Sequence, residues 1–428
     1  MEKRKSSLKE INRLAGEINA CTECGYCTFW CPLYQEEQNE STVARGKNKL
    51  IKAMAAGKTD FSGEIFEQLN KCMLCGTCTE HCSVQAKTHS LIVAARADRL
   101  EEKEIGFPFN IIFQWLLPRR TLFGNVVRVS SWFQKVLAPK TEGTIRHLSF
   151  FLSALGRERR IPSIAHKFLR QLVPVINSPK NGSPPKMRAG FFTGCMMDFV
   201  FPNIGVKIIN FLNKNSVEVV VPKEQVCCGA PVYLGAGDFP TGRKLADINL
   251  RAFDQLDYVV TGCATCASAL RDYKSFLGDN DERLDAYEKF GRRVYDITQF
   301  LVDVMKVPEQ AYQTATSAQG MKVTWHDSCH LNRHLGVKKQ PRAILNSIKG
   351  ISFIEMTKPD WCCGMAGTFS LKHYDLSKKI ALKKINSIKE TGADAVITAC
   401  PGCMVQFLDN ISREKMPQKV MHIIELFE

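Results

Sequence analysis

The chain has 428 residues, a formal net charge of +15 and 45% hydrophobic residues, which is the composition of a globular protein of roughly three domains. Its 18 cysteines do not indicate a secreted disulfide scaffold, because that class is short and carries a signal peptide, whereas residues 1–20 lack an apolar core and a cleavage pattern. No uncharged apolar stretch is long enough for a membrane-spanning helix, so we expect a reducing, cytoplasmic location where cysteines bind metal or do redox chemistry.

The first two cysteine clusters have the spacing of a bacterial ferredoxin. They are Cys21-x2-Cys24-x2-Cys27-x3-Cys31, followed by Pro32, and Cys72-x2-Cys75-x2-Cys78-x3-Cys82. In such a run three thiolates bind one [4Fe–4S] cube and the fourth binds the other cube. The predicted ligand sets are therefore Cys21, Cys24, Cys27 and Cys82 for one cube, and Cys72, Cys75, Cys78 and Cys31 for the second.

Two glycines occupy matching places in these runs. Gly25 and Gly76 each follow the second cysteine, and a residue without a side chain lets the backbone wrap closely around a cofactor and direct N–H groups at its sulfurs. The alternative is a structural zinc ribbon. It uses four ligands in two separated pairs, which leaves the third and fourth cysteine of each run unexplained.

Residues 105–186 have a different character. They contain 13 Lys and Arg against two acidic residues, Glu142 and Glu158, and so carry 11 of the 15 net charges. Their uncharged run, residues 105–118, is too short to cross a bilayer but suits an interface. Basic and aromatic side chains follow it: Arg119, Arg120, Arg128, Trp132, Phe133, Lys135, Arg157, Arg159 and Arg160.

We expect this basic segment to dock on an anionic membrane surface or on an acidic partner subunit. Helices with a solvated basic face are the alternative interpretation. Residues 178–185 read as a linker. No nucleic-acid partner is expected, because the chain has no zinc-finger spacing with histidines, no aromatic RNA-binding signature and no helix-turn-helix signal.

The remaining ten cysteines form an internal repeat. One copy contains Cys195, Cys227, Cys228, Cys263 and Cys266, and the other contains Cys329, Cys362, Cys363, Cys400 and Cys403. A duplicated domain explains the matched spacing. Five thiols are one more than a tetrahedral zinc ion or an ordinary cube needs, which indicates a larger or distorted cluster. Zinc in one or both copies and buried free thiols are the alternatives.

Around each group of cysteines the sequence alternates between β-branched runs and helix-like segments. This pattern predicts a small parallel α/β layer with the cysteines at the carboxyl ends of the strands. The predicted fold class is α+β and multidomain. The predicted domains are a helical two-[4Fe–4S] ferredoxin-like domain at 1–100, a basic aromatic helical connector at 101–186, and two duplicated α/β cysteine-rich domains at 187–310 and 311–428.

Taken together, these motifs resemble the iron–sulfur subunits of glycolate or D-lactate oxidase. The wider family of cysteine-rich CCG-domain proteins includes one of the subunits of anaerobic glycerol-3-phosphate dehydrogenase and one of those of heterodisulfide reductase. The segments with the strongest likeness to the glycolate-oxidase type are residues 31–34, 44–47, 116–119 and 362–369.

The complete pairs Cys263/Cys266 and Cys400/Cys403 look more like the heterodisulfide reductase branch, whose cysteine-rich domains bind non-cubane [4Fe–4S] clusters. The resemblance therefore implies one or two further non-cubane clusters in the CCG domains, with zinc in one of them as the alternative.

We expect an electron-transfer subunit of a multisubunit oxidoreductase, cytoplasmic or peripheral on the inner face of the cell membrane. An FAD-containing partner subunit would oxidise a 2-hydroxy acid such as glycolate or lactate, since no Gly-x-Gly-x-x-Gly motif follows a strand in this chain. Electrons would pass to a quinone, a membrane subunit or another carrier.

Two other functions stay open on the sequence. One is a heterodisulfide-reductase-like catalytic subunit that reduces a disulfide at a CCG-domain cluster, with His326, Asp327 and His330 as helpers beside Cys329. We interpret His326 and His330 as cofactor-binding residues, with support of the ligands or core packing as the alternative. The other is a zinc-built scaffold without redox activity.

Overall fold

The computed structural model describes residues 8–60, 62–137, 140–142, 145–147, 159–179, 184–278 and 281–428. Arg157 and Glu158 of the basic segment, and residues 180–183 of the predicted linker, lie outside the described residues. The chain forms two compact units. The first comprises Met1–Trp115, Gly229–Arg243 and Gly364–Ile380, and the second comprises Leu116–Cys228, Lys244–Cys363 and Ala381–Glu428.

Helices and sheets both contribute, so the predicted α+β multidomain class is confirmed. The four domain boundaries drawn from the sequence stay a prediction. Among the described residues, no helix has both the length and the apolar character needed to cross a bilayer.

The amino-terminal part of the first unit is helical. Its helices are α1 (Lys9–Arg13), α2 (Ala15–Ala20), α3 (Pro32–Glu37), α4 (Ala44–Ala55), α5 (Gly63–Asn70), α6 (Thr77–Glu80) and α7 (Thr88–Glu102). The buried Asp98 of α7 accepts hydrogen bonds from the backbone N–H groups of Glu10 and Ile11, both at 2.8 Å. These N–H groups belong to the first turn of α1, so the carboxylate holds that helix against α7.

The first unit also takes in the two segments that follow the Cys-Cys-Gly motifs, residues 229–243 and 364–380. The buried Arg96 of α7 donates to the carbonyl of Leu234 at 2.7 Å. Gly237 has a φ of 78°, and a Cβ there would lie 2.4 Å from the backbone nitrogen of Ala97. A side chain at Gly237 would therefore prevent this close approach of two backbones.

The second unit contains two sheets whose parallel strands have the same order. The strands are β4 (Ile176–Asn177), β5 (Met187–Phe191), β6 (Val217–Val220), β7 (Tyr258–Thr261), β8 (Val294–Asp296), β9 (Lys322–Trp325), β10 (Ser352–Phe353), β11 (Ala395–Thr398) and β12 (Lys419–His422). The first sheet has the order β4-β6-β5-β7-β8, in which only β4 is antiparallel, and the second has the order β10-β9-β11-β12, all parallel.

The register of the two sheets shows the duplication directly. Gly190 of β5 pairs with Val259 of β7, and the equivalent Thr324 of β9 pairs with Val396 of β11. The strands β7 and β11 are almost wholly buried and rich in β-branched residues, as parallel strands covered on both faces usually are.

Further helices lie before, between and after these strands in the chain. They are α8 (Arg120–Leu137), α9 (Leu169–Leu172), α10 (Gly194–Phe199), α11 (Pro202–Lys214), α12 (Phe239–Ala252), α13 (Ala264–Arg271), α14 (Leu284–Arg292), α15 (Ile297–Gln299), α16 (Lys339–Ser347), α17 (Thr368–Lys372), α18 (Tyr374–Glu390) and α19 (Pro401–Arg413). Short antiparallel strands β1 (Lys140–Glu142), β2 (Ile145–His147) and β3 (Arg160–Pro162) form a third sheet, and β3 packs against α19.

Candidate metal centres

The structure brings the eight amino-terminal cysteines to two neighbouring cavities in the first unit. One cavity is lined by four thiols that the sequence assigns to one cube: Cys21, Cys24, Cys27 and Cys82. The other is lined by the second predicted set: Cys31, Cys72, Cys75 and Cys78. Each cavity thus combines three cysteines of one run with the last cysteine of the other. Cys78 also lines the first cavity, so the two cavities are adjacent.

Both predicted glycines lie at these cavities in a left-handed conformation. Gly25 has a φ of 85° and lines the first cavity, and Gly76 has a φ of 72° and lines the second. Each precedes a short helical segment, Tyr26–Phe29 or Thr77–Glu80, which turns the chain between the second and third cysteine. Only glycine adopts this conformation without strain.

A buried lysine, Lys47 of α4, lies at the second cavity. Its Nζ donates to the carbonyl of Thr42, and burial lowers its pKa while the neighbouring thiolates of Cys72 and Cys31 raise it. Burial also raises the pKa of the Cys31 thiol, with Lys47 opposing that shift. A cation at this position favours thiolates and any further negative charge in the cavity.

The ten other cysteines belong to the second unit, and the two copies meet there. Cys263 follows β7 and caps α13, while Cys400 follows β11 and caps α19. The two loops touch, because the backbone N–H of Ala264 donates to the carbonyl of Ala399 at 3.1 Å. The carboxyl ends of the parallel strands thus bring the Cys-x2-Cys pairs of both copies together.

Six thiols lie close together across this junction, each an electrostatic neighbour of the next: Cys228, Cys266, Cys263, Cys400, Cys403 and Cys363. The Sγ atoms of Cys363 and Cys403 are 3.4 Å apart. Hydrogen bonds from Cys263, Cys403 and Thr265 hold the pKa of Cys400 well below its usual value.

The remaining cysteines lie at the edges of this group. Burial, together with the nearby Cys228, raises the pKa of Cys195 to about 11. The buried Tyr273 has Cys227 and Cys228 among its electrostatic neighbours. Cys362 is an electrostatic neighbour of His330, and Cys329 caps the helical turn His330–His334.

The three polar helpers predicted beside Cys329 have different surroundings. Asp327 accepts from the indole N–H of Trp325 at 2.6 Å and from the guanidinium of Arg342 at 2.8 Å and 3.1 Å, so it is held as an ion pair. Nδ1 of His330 lies 3.0 Å from Oγ of Ser268. His326 is buried beside Cys363 and Cys403, with one ring nitrogen and the two sulfurs all within 4.8 Å of one another.

These donor sets fit iron–sulfur clusters. Thiols that crowd together in buried positions raise one another's pKa, as at Cys78, and a positively charged metal core relieves that repulsion. Sulfur ligands select iron–sulfur clusters, zinc or copper(I), and the crossed sets of four match the two-cube arrangement. Iron ligation by these particular residues stays a prediction.

Comparison with known protein families agrees with this chemistry. Residues 17–86 match the 4Fe-4S dicluster domain, and residues 189–271 and 323–408 match the cysteine-rich domain named CCG. A probable glycolate oxidase iron–sulfur subunit from Bacillus subtilis is 30% identical over 96% of this chain and 93% of that protein. The chain belongs to the family of glycolate-oxidase-type iron–sulfur subunits. The expected membership is thus confirmed, and the chain is an iron–sulfur oxidoreductase component.

Other proteins similar to this chain are named as components of other enzymes or pathways. A protein named as one of the subunits of fumarate reductase (CoM/CoB), from Methanothermobacter marburgensis, is 29% identical over 96% of this chain and 72% of that protein. Lactate utilization protein A from Bacillus subtilis is 32% identical over 56% of this chain and 98% of that protein. The family therefore contains components of several multisubunit oxidoreductases.

Sequence reasoning missed the buried cations Lys47, Arg96 and Lys384. Lys47 appeared only within a segment of family likeness, and the other two carried no signal, because Lys and Arg on a helix are normally solvated. Their proximity to cysteines depends on tertiary contacts.

Proposed function

We propose that this family member is the electron-transfer subunit of a multisubunit 2-hydroxy-acid oxidoreductase. An FAD-containing partner would oxidise glycolate or lactate, and a quinone would receive the electrons. The observation that carries the proposal is the pair of adjacent cavities with crossed sets of four cysteines in the first unit. The names of the glycolate oxidase and lactate utilization relatives support the substrate class.

The residues around the second cavity suit this role. When bound, iron–sulfur clusters supply one-electron transfer with little structural change. Lys47 places a buried positive charge beside Cys31 and Cys72, which offsets the negative charge of the thiolates. Arg96 donates to the carbonyls of Asn70 at 2.9 Å and Cys72 at 2.8 Å, and this fixes the start of the second cysteine run.

The first unit also contains a cavity that suits a quinone headgroup. Its volume is about 480 Å³, within the usual range of small-molecule sites, and its lining includes the rings of Phe66, Phe109 and Phe113 and the polar side chains of Arg96, Lys372 and His373. Arg96 connects this lining to the backbone of Cys72. Burial lowers the pKa of Lys372 and of His373, so both lose a proton at a lower pH than usual.

Filling this cavity should slow quinone reduction. Gly235 lines the cavity, and a Cβ there would lie 3.7 Å from Oγ1 of Thr368, an ordinary contact. In Gly235→Leu we expect reoxidation of the reduced protein by a water-soluble quinone to slow at least about tenfold, measured by stopped-flow absorbance, because the side chain would occupy the space of the headgroup. Gly16→Leu, at an open position outside the cavity, is the control. Equal rates in both variants would place the acceptor elsewhere.

A second feature supports a location at the membrane surface. The face of α8 that packs against the rest of the second unit is mixed. Arg120 pairs with the buried Asp198 and Gln134 exchanges hydrogen bonds with the backbone of Ile164 at 2.9 Å and 3.1 Å, while the ring of Phe123 packs on that of Phe199. The solvent-exposed side chains of α8 include an apolar stripe, Leu122, Val126, Val129 and Phe133, with Trp132 beside it. Most of the described apolar side chains of α8 thus face solvent, whereas a solvated surface helix buries them.

We infer that this stripe, which we name the α8 apolar face, rests on an anionic lipid surface. The spacing of Leu122, Val126, Val129 and Phe133 puts them on one side of the helix. Arg119 and Arg128 are exposed nearby, and the segment 105–186 has a net charge of +11. Apolar insertion combined with cationic flanks is the pattern of helices that lie in the membrane interface.

The function itself is tested with the tagged chain purified anaerobically together with its native partners. We expect a flavin-containing protein to copurify, and glycolate or D-lactate to bleach the iron–sulfur absorbance of the complex. The same acids should have no effect on the isolated chain. A complex that contains no flavin, or that is reduced by neither acid, would contradict the proposed electron donor.

The group of six neighbouring thiols favours one other function, reduction of a disulfide. The relative named as part of fumarate reductase (CoM/CoB) is similar over most of this chain. The same preparation decides between the two: disulfide turnover by the isolated chain with a reduced viologen as donor supports this second function.

A further inference from the structure

The two cysteine-rich copies allow each residue in one copy to be compared with its counterpart in the other. The backbone N–H of Phe192 donates to the carbonyl of Val260 at 2.8 Å, and the backbone N–H of His326 donates to the carbonyl of Ile397 at 2.9 Å. Both residues directly follow the central strand of their sheet, β5 or β9. Phe192 and His326 are therefore structural equivalents, and both are fully or almost fully buried.

The imidazole of His326 is buried without a hydrogen bond from the part of the chain that the structure describes. Neither ring nitrogen makes a well-formed hydrogen bond with these residues. The carbonyl of Pro359 interacts with the ring, but it accepts from the backbone N–H of Asp327 at 2.9 Å. The ring packs edge to face against that of Phe407, with 4.8 Å between the ring centroids. Leaving a buried polar group unsatisfied is costly, so an unpaired imidazole at this position calls for a partner.

That partner can be read from the surroundings of the ring. A ring nitrogen of His326 and the sulfurs of Cys363 and Cys403 lie within 4.8 Å of one another, which is a spacing that one metal ion can bridge. The neutral imidazole is the form that binds metal. In the first copy the phenyl ring of Phe192 offers no donor atom.

A second difference between the copies lies beside the same cysteines. Asn249 of α12 donates to the carbonyl of Cys227, 22 residues before it, at 3.1 Å. The residue at the same separation from Cys362 in the second copy is the buried Lys384 of α18. Nζ of Lys384 donates to the carbonyl of Lys358, and Cys363 and Cys362 are among its electrostatic neighbours. The second copy thus contains a buried cation and an imidazole where the first contains an amide and a phenyl ring.

We propose that His326 is a direct metal ligand in the second cysteine-rich copy, where it completes a mixed nitrogen and sulfur donor set with Cys363 and Cys403. The metal is an iron of a cluster or a zinc ion, since both accept imidazole and thiolate. The proposal rests on a metal in the second copy and is independent of the hydroxy-acid donor and the quinone. It makes the two copies chemically unequal.

For an iron centre, the consequence is a higher reduction potential in the second copy. A neutral imidazole ligand adds no negative charge to the centre, and a buried cation such as Lys384 stabilises the reduced form, so both raise the potential. The centre of the second copy would then be the more easily reduced of the two, and electrons would collect there.

Pulsed electron paramagnetic resonance of the full chain tests the ligand. The protein is purified anaerobically, reduced stepwise and recorded with natural-abundance and with ¹⁵N-labelled histidine. We expect a directly coordinated histidine nitrogen in the wild type and complete loss of that coupling in His326→Phe, which reproduces the first copy. X-ray absorption at the zinc edge is recorded in parallel, and a nitrogen and sulfur shell at zinc that loses its nitrogen in the variant identifies zinc as the metal.

Two further variants keep the test decisive. His334→Phe, which removes a nearby histidine, should leave the nitrogen signal unchanged. His326→Cys offers a thiolate in place of the imidazole, so it should retain the metal while losing the nitrogen coupling, even if His326→Phe does not fold. Absence of histidine nitrogen at every metal in the wild type, or its persistence in both His326 variants, would overturn the proposal.

Discussion

The double variant Cys24→Ala with Cys82→Ala is expected to lose about four iron atoms per chain and to keep one of the two amino-terminal cubes. Cys24 and Cys82 belong to different runs but line the same cavity. Removing both therefore empties a single site. The double variant Cys24→Ala with Cys31→Ala removes two cysteines from one run that line different cavities, so it should lose about eight iron atoms.

The comparison separates crossed from uncrossed ligation. If each run bound its own cube, the outcomes would be reversed: the first variant would lose both cubes and the second only one. Iron and acid-labile sulfide analysis of anaerobically purified protein measures the loss. Reduced-state spectra of the variant that keeps one cube then show which cube remains. Equal losses in the two variants would rule out both ligation schemes.

Replacement of Trp132 and Phe133 by serine is expected to weaken binding to anionic vesicles by at least about 100-fold. Trp132, beside the α8 apolar face, is 70% exposed, and Phe133, on that face, is 56% exposed. Burial of a large apolar side chain contributes roughly 1.5–3 kcal/mol, so loss of two removes about 3–6 kcal/mol of binding free energy. Cosedimentation with vesicles of phosphatidylglycerol and phosphatidylcholine measures the partition, and wild-type binding should weaken as salt is added.

A matched control is available on the second unit. Ile176 and Leu382 are exposed apolar side chains outside α8, and their double replacement by serine should leave vesicle binding unchanged. Vesicle binding that is the same in both double variants would exclude α8 as the lipid contact. Absence of wild-type binding, with a partner subunit protecting α8 from hydrogen exchange, would show that the apolar face meets protein instead.

The cysteine spacing alone was enough to predict the arrangement of the first unit's thiols. Ligand spacing in a two-cube ferredoxin is local and rigid, so it predicts the same two sets of four that line the two cavities. The duplicated α/β copies could also be predicted from the sequence, because a β-branched run that stops at a cysteine places that cysteine at the carboxyl end of a strand.

Other features required the three-dimensional structure. The segments 229–243 and 364–380 carry no signal that they belong with the amino-terminal helices, because that association depends on contacts such as the one between Arg96 and Leu234. The exposure of the apolar stripe of α8 was also hidden, since amphipathicity in a sequence does not say which face of a helix is buried. That Phe192 and His326 occupy the same position in the two copies became apparent only from their equivalent backbone hydrogen bonds.

Iron and acid-labile sulfide content of the full chain, purified without exposure to oxygen, tests the central claim most directly. An iron–sulfur subunit with two cubes should contain at least about eight irons and as many sulfides per chain, with any cluster in the cysteine-rich copies adding to that number. Stoichiometric zinc with fewer than about eight irons would contradict the two-cube assignment and with it the proposed electron-transfer function.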